Sequence, residues 1–473
     1  MRFKFLNLTD DDILCSLSDS DLFTLSPGLS QLIDIPQHSP CVSLHSSAKV
    51  ESAITKHENF RIRLSLSLKS SWQAIKLPLD CRWRIYATWS SSEPYQLTIL
   101  PKRNLASYLS EMPDQLPLYS LLLPGTHDTM AFYGWPISQC QSLDNPLHVQ
   151  LQNGVRVIDI RLANIEGRLI AYHGRYPERT PFQSILSTIY TFLTSPLSCK
   201  ETIIMSLKQE DYATTPPPVF SRLVREEFIQ SPGGLGILFL ENRIPKLGEV
   251  RGKVVFLSRF GGDGAGWENG LEGLGIHPTT WPDSEKNGFT WECKDVHVRT
   301  HDWYAIPSFL YIPEKVSLAT DFLLPPPPPP NDEVDRPTLS IIYTSAASFP
   351  FAAPQTIAQG FGWPRWGLGV EGVNSRLGRW VLNVFGGSVD PVMNDEIDGD
   401  TDVREKDCLG ICMTRDSTRS NYARGYNTTA KTKTDPRLRG WVLVDFYDRP
   451  EQSLVDLLVE CNFRGRRKGE EGW

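Results

Sequence analysis

Long apolar runs are missing from this sequence. No stretch approaches the roughly 20 consecutive apolar residues that a membrane-spanning helix needs. The N-terminal segment MRFKFLNLTDDDILCSLSDSD turns acidic before any apolar run forms, which is not the pattern of a secretory signal peptide. We therefore expect a cytoplasmic protein, at most a peripheral one at a membrane, with no signal peptide and no transmembrane segment.

A basic excess and a cysteine-based metal motif are missing too. The chain has 48 Lys and Arg against 55 Asp and Glu, and its net charge of -7 argues against a general nucleic-acid binder. Its nine cysteines show no metal-ligand spacing. The closest pair, Cys408 and Cys412, has no second pair that would complete a zinc site. The sequence therefore predicts free thiols in a reducing compartment.

The composition is that of a globular protein, and the chain is long enough for two domains. Within residues 1–105, three segments alternate apolar and polar residues: FRIRLSLSLK (60–69), CRWRIYATW (81–89) and YQLTILPK (95–102). Alternation is typical of strands with one face exposed. We predict a smaller, antiparallel, sandwich-like N-terminal β domain over 1–105.

Residues 106–473 show a different pattern, in which short, continuously apolar runs alternate with helical ones. Buried strands that alternate with helices predict an α/β fold, here a distorted TIM (β/α) barrel. Helices are predicted at 182–195, 217–231 and 453–463. The predicted strands are YSLLLPG (119–125), VRVIDIRL (155–162), RLIAYHG (168–174), ETIIMSLK (201–208), GKVVFLSRF (252–260), LSIIYTSAAS (339–348) and WVLVDFYD (441–448).

Two insertions interrupt the predicted barrel. One, at about 323–337, is a polyproline run that leads into acidic residues. It is typical of a solvated loop, with the alternative that residues 325–330 bind a proline-recognising partner. The other, at about 387–440, is polar and rich in Gly, Asp, Thr and Arg, which predicts a long loop.

Several predicted strands end in ionisable residues that a core does not require. The C-terminal ends of barrel strands meet at one mouth, where active sites lie. We therefore expect one shared site formed by His127, Asp128, Asp159, Arg161, His173, Lys208, Glu210 and Asp445.

These residue types suit attack on a phosphate ester. Two histidines can serve as general base and general acid near neutral pH, and an arginine matches a phosphate through two parallel hydrogen bonds. Each signal alone has a structural alternative, such as a histidine that only donates a hydrogen bond or an Asp159–Arg161 ion pair at the rim. No Ser or Cys elbow is present in the sequence, so the nucleophile would belong to the substrate or be water.

The ordered motifs PGTHDTM, GVRVIDIRLA, YHG, ETIIMSLKQE and GWVLVDF resemble the X domain of phosphatidylinositol-specific phospholipase C. The similarity is to the bacterial, metal-independent branch, strong over 118–212 and loose over 250–465. It implies a distorted TIM barrel that acts on phosphatidylinositol or a related inositol phospholipid at a membrane surface, through a cyclic inositol phosphate.

The resemblance also implies roles for individual residues. His127 would be the base that takes the proton of the inositol 2-hydroxyl, and His173 the acid for the diacylglycerol leaving group. Arg161 would hold the phosphate. Asp445 would pair with the base, with Asp128 and Asp159 as further catalytic carboxylates. The inositol would be near Lys208 and Glu210 and, from the motif THDWYAIPS (300–308), near Asp302 and Tyr304.

The same resemblance implies that no metal or other cofactor is needed, because Arg161 supplies a fixed cation where related enzymes bind calcium. One contrary signal is NDEIDGDTDVRE (394–405), which follows the spacing of a calcium-binding loop but begins with Asn394 and lacks helical flanks. Two other functions stay open: a non-catalytic barrel that binds lipid headgroups or membranes, and a phosphodiesterase on another lipid. The aromatic motifs AFYGWP (131–136) and GFGWPRWGLG (360–369) would either insert into a membrane or pack over the barrel end.

Overall fold

The computed structural model describes residues 2–16, 22–34, 41–46, 59–63, 71–88, 95–326, 336–362, 369–387, 437–449, 453–466, 469 and 472–473. Some predictions fall mainly outside these ranges and stay predictions. They are the insertions at about 323–337 and 387–440, the proline-recognising partner at 325–330, the calcium-loop spacing at 394–405 and the tryptophans of the 360–369 motif.

The described residues within 2–101 form two sheets. The first has the order β4-β1-β9-β8-β7 and the second the order β3-β2-β5-β6. One apolar cluster contains Phe5 from the first sheet and Leu44 from the second, so the two sheets share a core. The strands are β1 (Arg2–Asn7), β2 (Ile13–Ser16), β3 (Leu22–Leu25), β4 (Ser30–Asp34), β5 (Cys41–Ser46), β6 (Asn59–Arg63), β7 (Trp72–Ala74), β8 (Trp83–Thr88) and β9 (Tyr95–Pro101).

The prediction that this region is antiparallel is wrong at one pair, because β1 and β9 run parallel. A parallel pair needs a long connection, and the rest of the region lies between these two strands. The domain boundary near 105 stays a prediction. A continuous core crosses it: Trp72 is buried, donates its indole N–H to the carbonyl of Ser375 and packs against Gly378.

The rest of the described chain forms a curled, mainly parallel sheet, and the predicted α/β TIM-barrel fold is confirmed. Eight strands run parallel in the order β15-β16-β14-β11-β10-β22-β19-β18. In the described part of the chain no pairing joins β15 to β18, so the barrel is open there. The strands are β10 (Leu122–Thr126), β11 (Val157–Ile165), β12 (Arg168–His173), β13 (Tyr176–Pro181), β14 (Ile203–Gln209), β15 (Leu238–Phe239), β16 (Val254–Arg259), β17 (Phe289–Cys293), β18 (Val296–His301), β19 (Thr338–Tyr343), β20 (Gly360–Phe361), β21 (Val370–Glu371) and β22 (Gly440–Val444).

The helices lie between these strands and cover the sheet. The predicted helices correspond to α2, α3 and α7, while α1, α4, α5 and α6 were not predicted. Pro217 begins α3, where its missing N–H costs nothing. The helices are α1 (Leu147–Gln152), α2 (Phe182–Thr194), α3 (Pro217–Gln230), α4 (Ile312–Asp321), α5 (Pro354–Gln359), α6 (Val373–Phe385) and α7 (Leu454–Glu460).

One predicted barrel strand has a different role. The segment 168–174 forms β12, which pairs antiparallel with the end of β11 and not parallel with a barrel strand. The strand β11 continues to Ile165, beyond the level of the mouth, and the turn at Glu166–Gly167 sends β12 back along it. His173 thus returns to the mouth on a hairpin. Its location was predicted correctly, but the reason, the end of a barrel strand, was wrong.

Candidate active site

The first site residue follows a fully buried strand. Every residue of β10 is buried, and a side chain at Gly125 would lie 2.7 Å from the Cβ and carbonyl oxygen of Val157. Only glycine therefore allows β10 to approach β11 this closely. The amide of His127 donates to the carbonyl of Val444, which extends the pairing with β22 by one residue. Asp128 then turns the chain with φ 43°, so His127 lies where the strand meets the mouth.

The two ring nitrogens of His127 have different partners. Nδ1 lies 2.8 Å from Oδ1 of Asp445, and Nε2 lies 2.6 Å from Nη2 of Arg161. An arginine can only donate at this site, so Nε2 must be unprotonated and Nδ1 must donate to an ionised Asp445. Burial and then the Arg161 charge lower the pKa of His127 well below its ordinary value. This is the tautomer and charge state that a general base requires.

The Asp445 carboxyl is buried between residues of both signs. Burial, followed by the charge of Asp128, raises its pKa well above the ordinary value for an aspartate, while Arg161 lowers it. The hydrogen-bond donors decide where the proton lies in the His127–Asp445 pair, and Arg161 keeps it on Nδ1 of the histidine.

Arg161 is the centre of the charged cluster. Its Nε donates to Oδ2 of Asp159 at 3.1 Å, and its Nη1 lies 3.3 Å from Asp128 and 3.6 Å from Glu210. Burial disfavours the guanidinium charge, but these carboxylates outweigh burial and raise its pKa. Burial likewise opposes ionisation of Asp159, and Arg161 and Arg259 outweigh it and lower its pKa. Asp128 and Asp159 lie beneath the arginine and fix its position.

The second histidine, His173, is held by a backbone carbonyl and a carboxylate. Its Nδ1 lies 2.7 Å from the carbonyl of Ser138, which makes Nδ1 the protonated nitrogen, and 3.4 Å from Oδ2 of Asp128. Its ring centroid is 6.3 Å from that of His127, at nearly a right angle. One imidazole contacts Arg161 and the other is linked to it through Asp128, so the pair could remove a proton and supply one at the same phosphate.

Both histidines line a cavity of about 650 Å³ at the mouth of the barrel. Lys208 and Glu210 line it next to Arg161 and are joined by a 3.0 Å bond. The other predicted headgroup contacts lie across the cavity: Asp302 accepts from the indole of Trp281 at 2.9 Å, and the hydroxyl of Tyr304 donates to Asp283. All ten predicted site residues are thus together, eight of them on the cavity wall and the buried Asp128 and Asp159 below it.

The sequence analysis missed Arg259. In the parallel register Arg161 pairs with Lys208, and Lys208 pairs with Arg259, so three cations form a row across β11, β14 and β16. The guanidinium lies 3.9 Å above the ring of Trp281 and 3.6 Å from Asp159. The signal was present, because Arg259 is the last residue but one of the predicted strand GKVVFLSRF and Lys208 is the last residue of ETIIMSLK.

Cys140 was missed as well. Its thiol is buried, and Sγ lies 3.8 Å from Nδ1 of His173. The thiol is also hydrogen-bonded to Asp445, and burial raises the pKa of Cys140. Cys140 could join either of two ligand sets for a metal ion, with His127 and Asp445 or with Asp128 and His173. In either set such an ion would compete with the hydrogen bonds of one imidazole, that of His127 or that of His173, and it would lie near the Arg161 charge. The electrostatics therefore do not favour a metal, and metal independence stays a prediction.

Residues 136–260 match the family model of phosphatidylinositol-specific phospholipase C, X domain. The resemblance seen in the sequence is confirmed. The matched stretch includes Arg161, His173, Lys208, Glu210 and Arg259. His127 and Asp445 lie outside the match, and the fold brings them to it.

Curated relatives carry the name 1-phosphatidylinositol phosphodiesterase. The Listeria monocytogenes protein is 33% identical over 189 residues, which are 37% of this chain and 54% of that protein. A Staphylococcus aureus protein is 26% identical over 162 residues, 33% of this chain and 51% of its own length. The chain thus spans about half the length of the curated relatives it matches.

Solved structures share the fold. A doubly substituted variant of the S. aureus phosphatidylinositol-specific phospholipase C superposes with a TM-score of 0.50 at 17% identity, over 76% of this chain and 97% of that one. A singly substituted variant of the same enzyme superposes with a TM-score of 0.51 over 76% of this chain and 99% of its own. Among the residues that our structure describes, no helix has the length and apolar character needed to span a membrane.

Proposed function

We propose that this protein is a phospholipase C-type phosphodiesterase that cleaves phosphatidylinositol or a related inositol phospholipid. The observation that carries the proposal is the geometry at Arg161, whose guanidinium contacts the base nitrogen of His127 and the Asp128 that supports His173. One cation thus connects the proton acceptor with the proton donor. Matches to enzymes named 1-phosphatidylinositol phosphodiesterase support the substrate class.

In the first step the nucleophile comes from the substrate. Among the described residues no serine hydroxyl or thiol is hydrogen-bonded to either nitrogen of His127, because Nδ1 faces Asp445 and Nε2 faces Arg161. When phosphate binds Arg161, Nε2 is free to accept the proton of an inositol hydroxyl next to the phosphate. That oxygen attacks phosphorus, and a cyclic inositol phosphate forms.

In the second half of this step His173 supplies the leaving-group proton. Its Nδ1 proton is held by the Ser138 carbonyl, so the other ring nitrogen is the one that exchanges protons with the substrate. Asp128, 3.4 Å away, stabilises the protonated ring. The P–O bond to diacylglycerol breaks as that oxygen takes the proton. Hydrolysis of the cyclic phosphate would reverse the two roles, with water as nucleophile.

The headgroup fits the remainder of the cavity. Lys208 and Arg259 donate hydrogen bonds, while Glu210 and Asp302 accept them, as ring hydroxyls require. Burial and then Arg161 lower the pKa of Lys208, and Glu210 opposes this effect. A mixed set of donors and acceptors suits a polyol better than a simple anion.

The mouth of the barrel also suits a lipid surface. Large apolar side chains are exposed on the connections between β10 and β11, β18 and β19, and β19 and β22: Trp135, Leu310, Phe349, Phe351 and Phe361, the last in β20. A short turn closed by paired hydrogen bonds between Ser348 and Ala352 presents Phe349 and Phe351. Aromatic side chains favour the membrane interface, so these loops would bring the cavity to its substrate. Two of the matching S. aureus structures concern the modulation of that enzyme's membrane binding.

The deciding experiment is a headgroup-by-headgroup assay of purified protein on vesicles, with ³¹P NMR of the water-soluble products. We expect cyclic inositol phosphate from phosphatidylinositol and no product from phosphatidylcholine or sphingomyelin. Binding without turnover would favour a non-catalytic barrel that binds lipid headgroups or membranes. Turnover of another lipid would favour a phosphodiesterase with that lipid as its substrate. Phe349→Ser with Phe351→Ser should weaken vesicle binding, whereas Leu197→Ser, exposed on the loop before β14 at the other barrel end, should not.

A further inference from the structure

Lys315 is a fully buried lysine that none of the steps above uses. It lies in α4, and its side chain has no exposed surface. Its Nζ donates to the carbonyl of Trp303 at 2.6 Å and to the carbonyl of Tyr343 at 2.7 Å. A buried ammonium is costly, and an apolar side chain of the same length would fill the space without that cost. The two carbonyls therefore indicate why a lysine is present.

Both carbonyls lie where regular strand pairing stops. The parallel pairing of β18 with β19 ends at His301 and Ile342. Trp303 and Tyr343 come just after this last pair, and Lys315 joins their backbones where no strand–strand bond does.

Each of these two segments carries groups of the candidate site. Trp303 lies between Asp302 and Tyr304 on the cavity wall. The ring of Tyr343 lies 5.9 Å from that of His127, edge to face, and its hydroxyl accepts from Arg259 at 3.4 Å. Movement of either carbonyl would therefore change the packing of the base, His127, or the headgroup wall, which is the part of the cavity wall formed by Asp302 and Tyr304.

The charge of Lys315 also acts on the site. Burial lowers its pKa to about 7, and the carboxylates of Asp302 and Asp445 oppose this effect. In return, the charge of Lys315 lowers the pKa of Asp445. The pKa of His301 is lowered mainly by burial and, to a smaller extent, by Lys315. Lys315 thus helps to keep the partner of His127 ionised.

We propose that Lys315 is a positioning residue for the reaction, whose ammonium ties the Trp303 and Tyr343 backbones and so fixes both the headgroup wall and the base. This inference rests on the proposed function. It differs from a purely structural role because the ammonium acts on the Asp445 carboxylate as well as on the backbone.

The test compares Lys315→Met and Lys315→Arg with Val316→Ala, the next residue of α4, which packs in the apolar cluster that contains Trp303 and so changes packing without changing charge. Turnover of phosphatidylinositol is measured against pH, and folding by circular dichroism and thermal unfolding. Lys315→Met should lower kcat/KM by about 10- to 100-fold, the effect of a displacement of about 1 Å. It should also move the acid limb of the profile to higher pH, because loss of the cation raises the pKa of Asp445.

Lys315→Arg keeps a positive charge, so its acid limb should stay near that of the parent even where kcat falls. Val316→Ala should lower the melting temperature without moving the acid limb. A folded Lys315→Met with the parent's kcat/KM and acid limb would overturn the inference. If that variant does not fold, Lys315→Gln, which keeps N–H donors without charge, must show the same shift of the limb, and an unshifted limb overturns the inference.

The two proposals fail differently. A parent protein without turnover on any inositol phospholipid overturns the proposed function and this inference with it. An active parent whose Lys315 variants match it in kcat/KM and pH profile overturns the role of Lys315 alone.

Discussion

Nε2 of His127 lies 2.6 Å from Nη2 of Arg161. Since a guanidinium always donates, this contact fixes the imidazole in the tautomer whose lone pair faces the cavity. In the proposed reaction the substrate phosphate must draw this cation away from Nε2 before the base can act, so that binding of the phosphate and release of the base would be one event.

We predict that His127→Ala and His173→Ala each lower kcat by at least about 10²-fold, the low end for loss of a general base or acid. Steady-state turnover of phosphatidylinositol checks this. The matched control is His148→Ala, an exposed histidine in α1, which should leave turnover unchanged. Near-parental activity in either site variant would rule out the two-histidine mechanism.

Asp445→Asn should be nearly as damaging although it conserves size. An amide N–H that donates to Nδ1 moves the ring proton to Nε2, where it meets the donor of Arg161. We expect kcat to fall by about 10²- to 10⁴-fold, as when a triad carboxylate is replaced by its amide. Asp448→Asn changes a carboxylate of the same loop that pairs with Arg449, and it should keep most activity. Equal effects of the two changes would mean that Asp445 is structural.

Arg161→Lys should not be conservative, because lysine cannot make the planar two-point contact with phosphate. We expect a loss of about 10²-fold or more in kcat, as when a donor to a developing oxyanion is removed. The parent should keep its activity in excess EDTA, since the guanidinium supplies the positive charge. Inhibition by EDTA that calcium reverses would show that this interpretation of Arg161 is wrong.

Arg259→Met should lower kcat/KM by about 10- to 100-fold, the loss expected for one charge-assisted hydrogen bond in a dry cavity. If Arg259 binds the headgroup, the change should be mainly in KM. Arg222→Met removes an exposed arginine of α3 that pairs with Glu226, and it serves as the control. An unchanged KM would limit Arg259 to supporting Asp159.

Glu178 should make stability depend on pH. Its carboxylate accepts from the amides of Phe132 and Tyr133, and burial raises its pKa to about 7 from an ordinary value of 4.5. Between these two values the folded state holds a proton that the unfolded state has lost, so stability falls as pH rises through this window. Glu178→Gln should remove that fall and gain on the order of 1–2 kcal/mol at pH 8 relative to pH 5. Urea unfolding at both pH values checks this, and parallel curves for parent and variant would contradict it.

The sequence by itself determined much of the barrel and most of the site. Strands such as β11 and β14 are buried on both faces and begin with apolar residues because helices cover the sheet, and this pattern is local. Residues at strand ends, such as Arg161 and Lys208, were predicted to meet because parallel strands end at one edge. The short strands β15 and β18 and the helix α4 were missed, since they lack a long periodic pattern.

Only the tertiary structure decided how these groups act. Register between β11, β14 and β16 placed Arg259 in line with Arg161, and no periodicity within one strand reveals register. The hairpin that returns His173 to the mouth depends on where β11 turns, and the contact of Lys315 with two strand ends depends on how α4 packs. The sequence determined which ionisable residues the chain carries, whereas the distances between them, and hence their pKa values and proton positions, exist only in the fold.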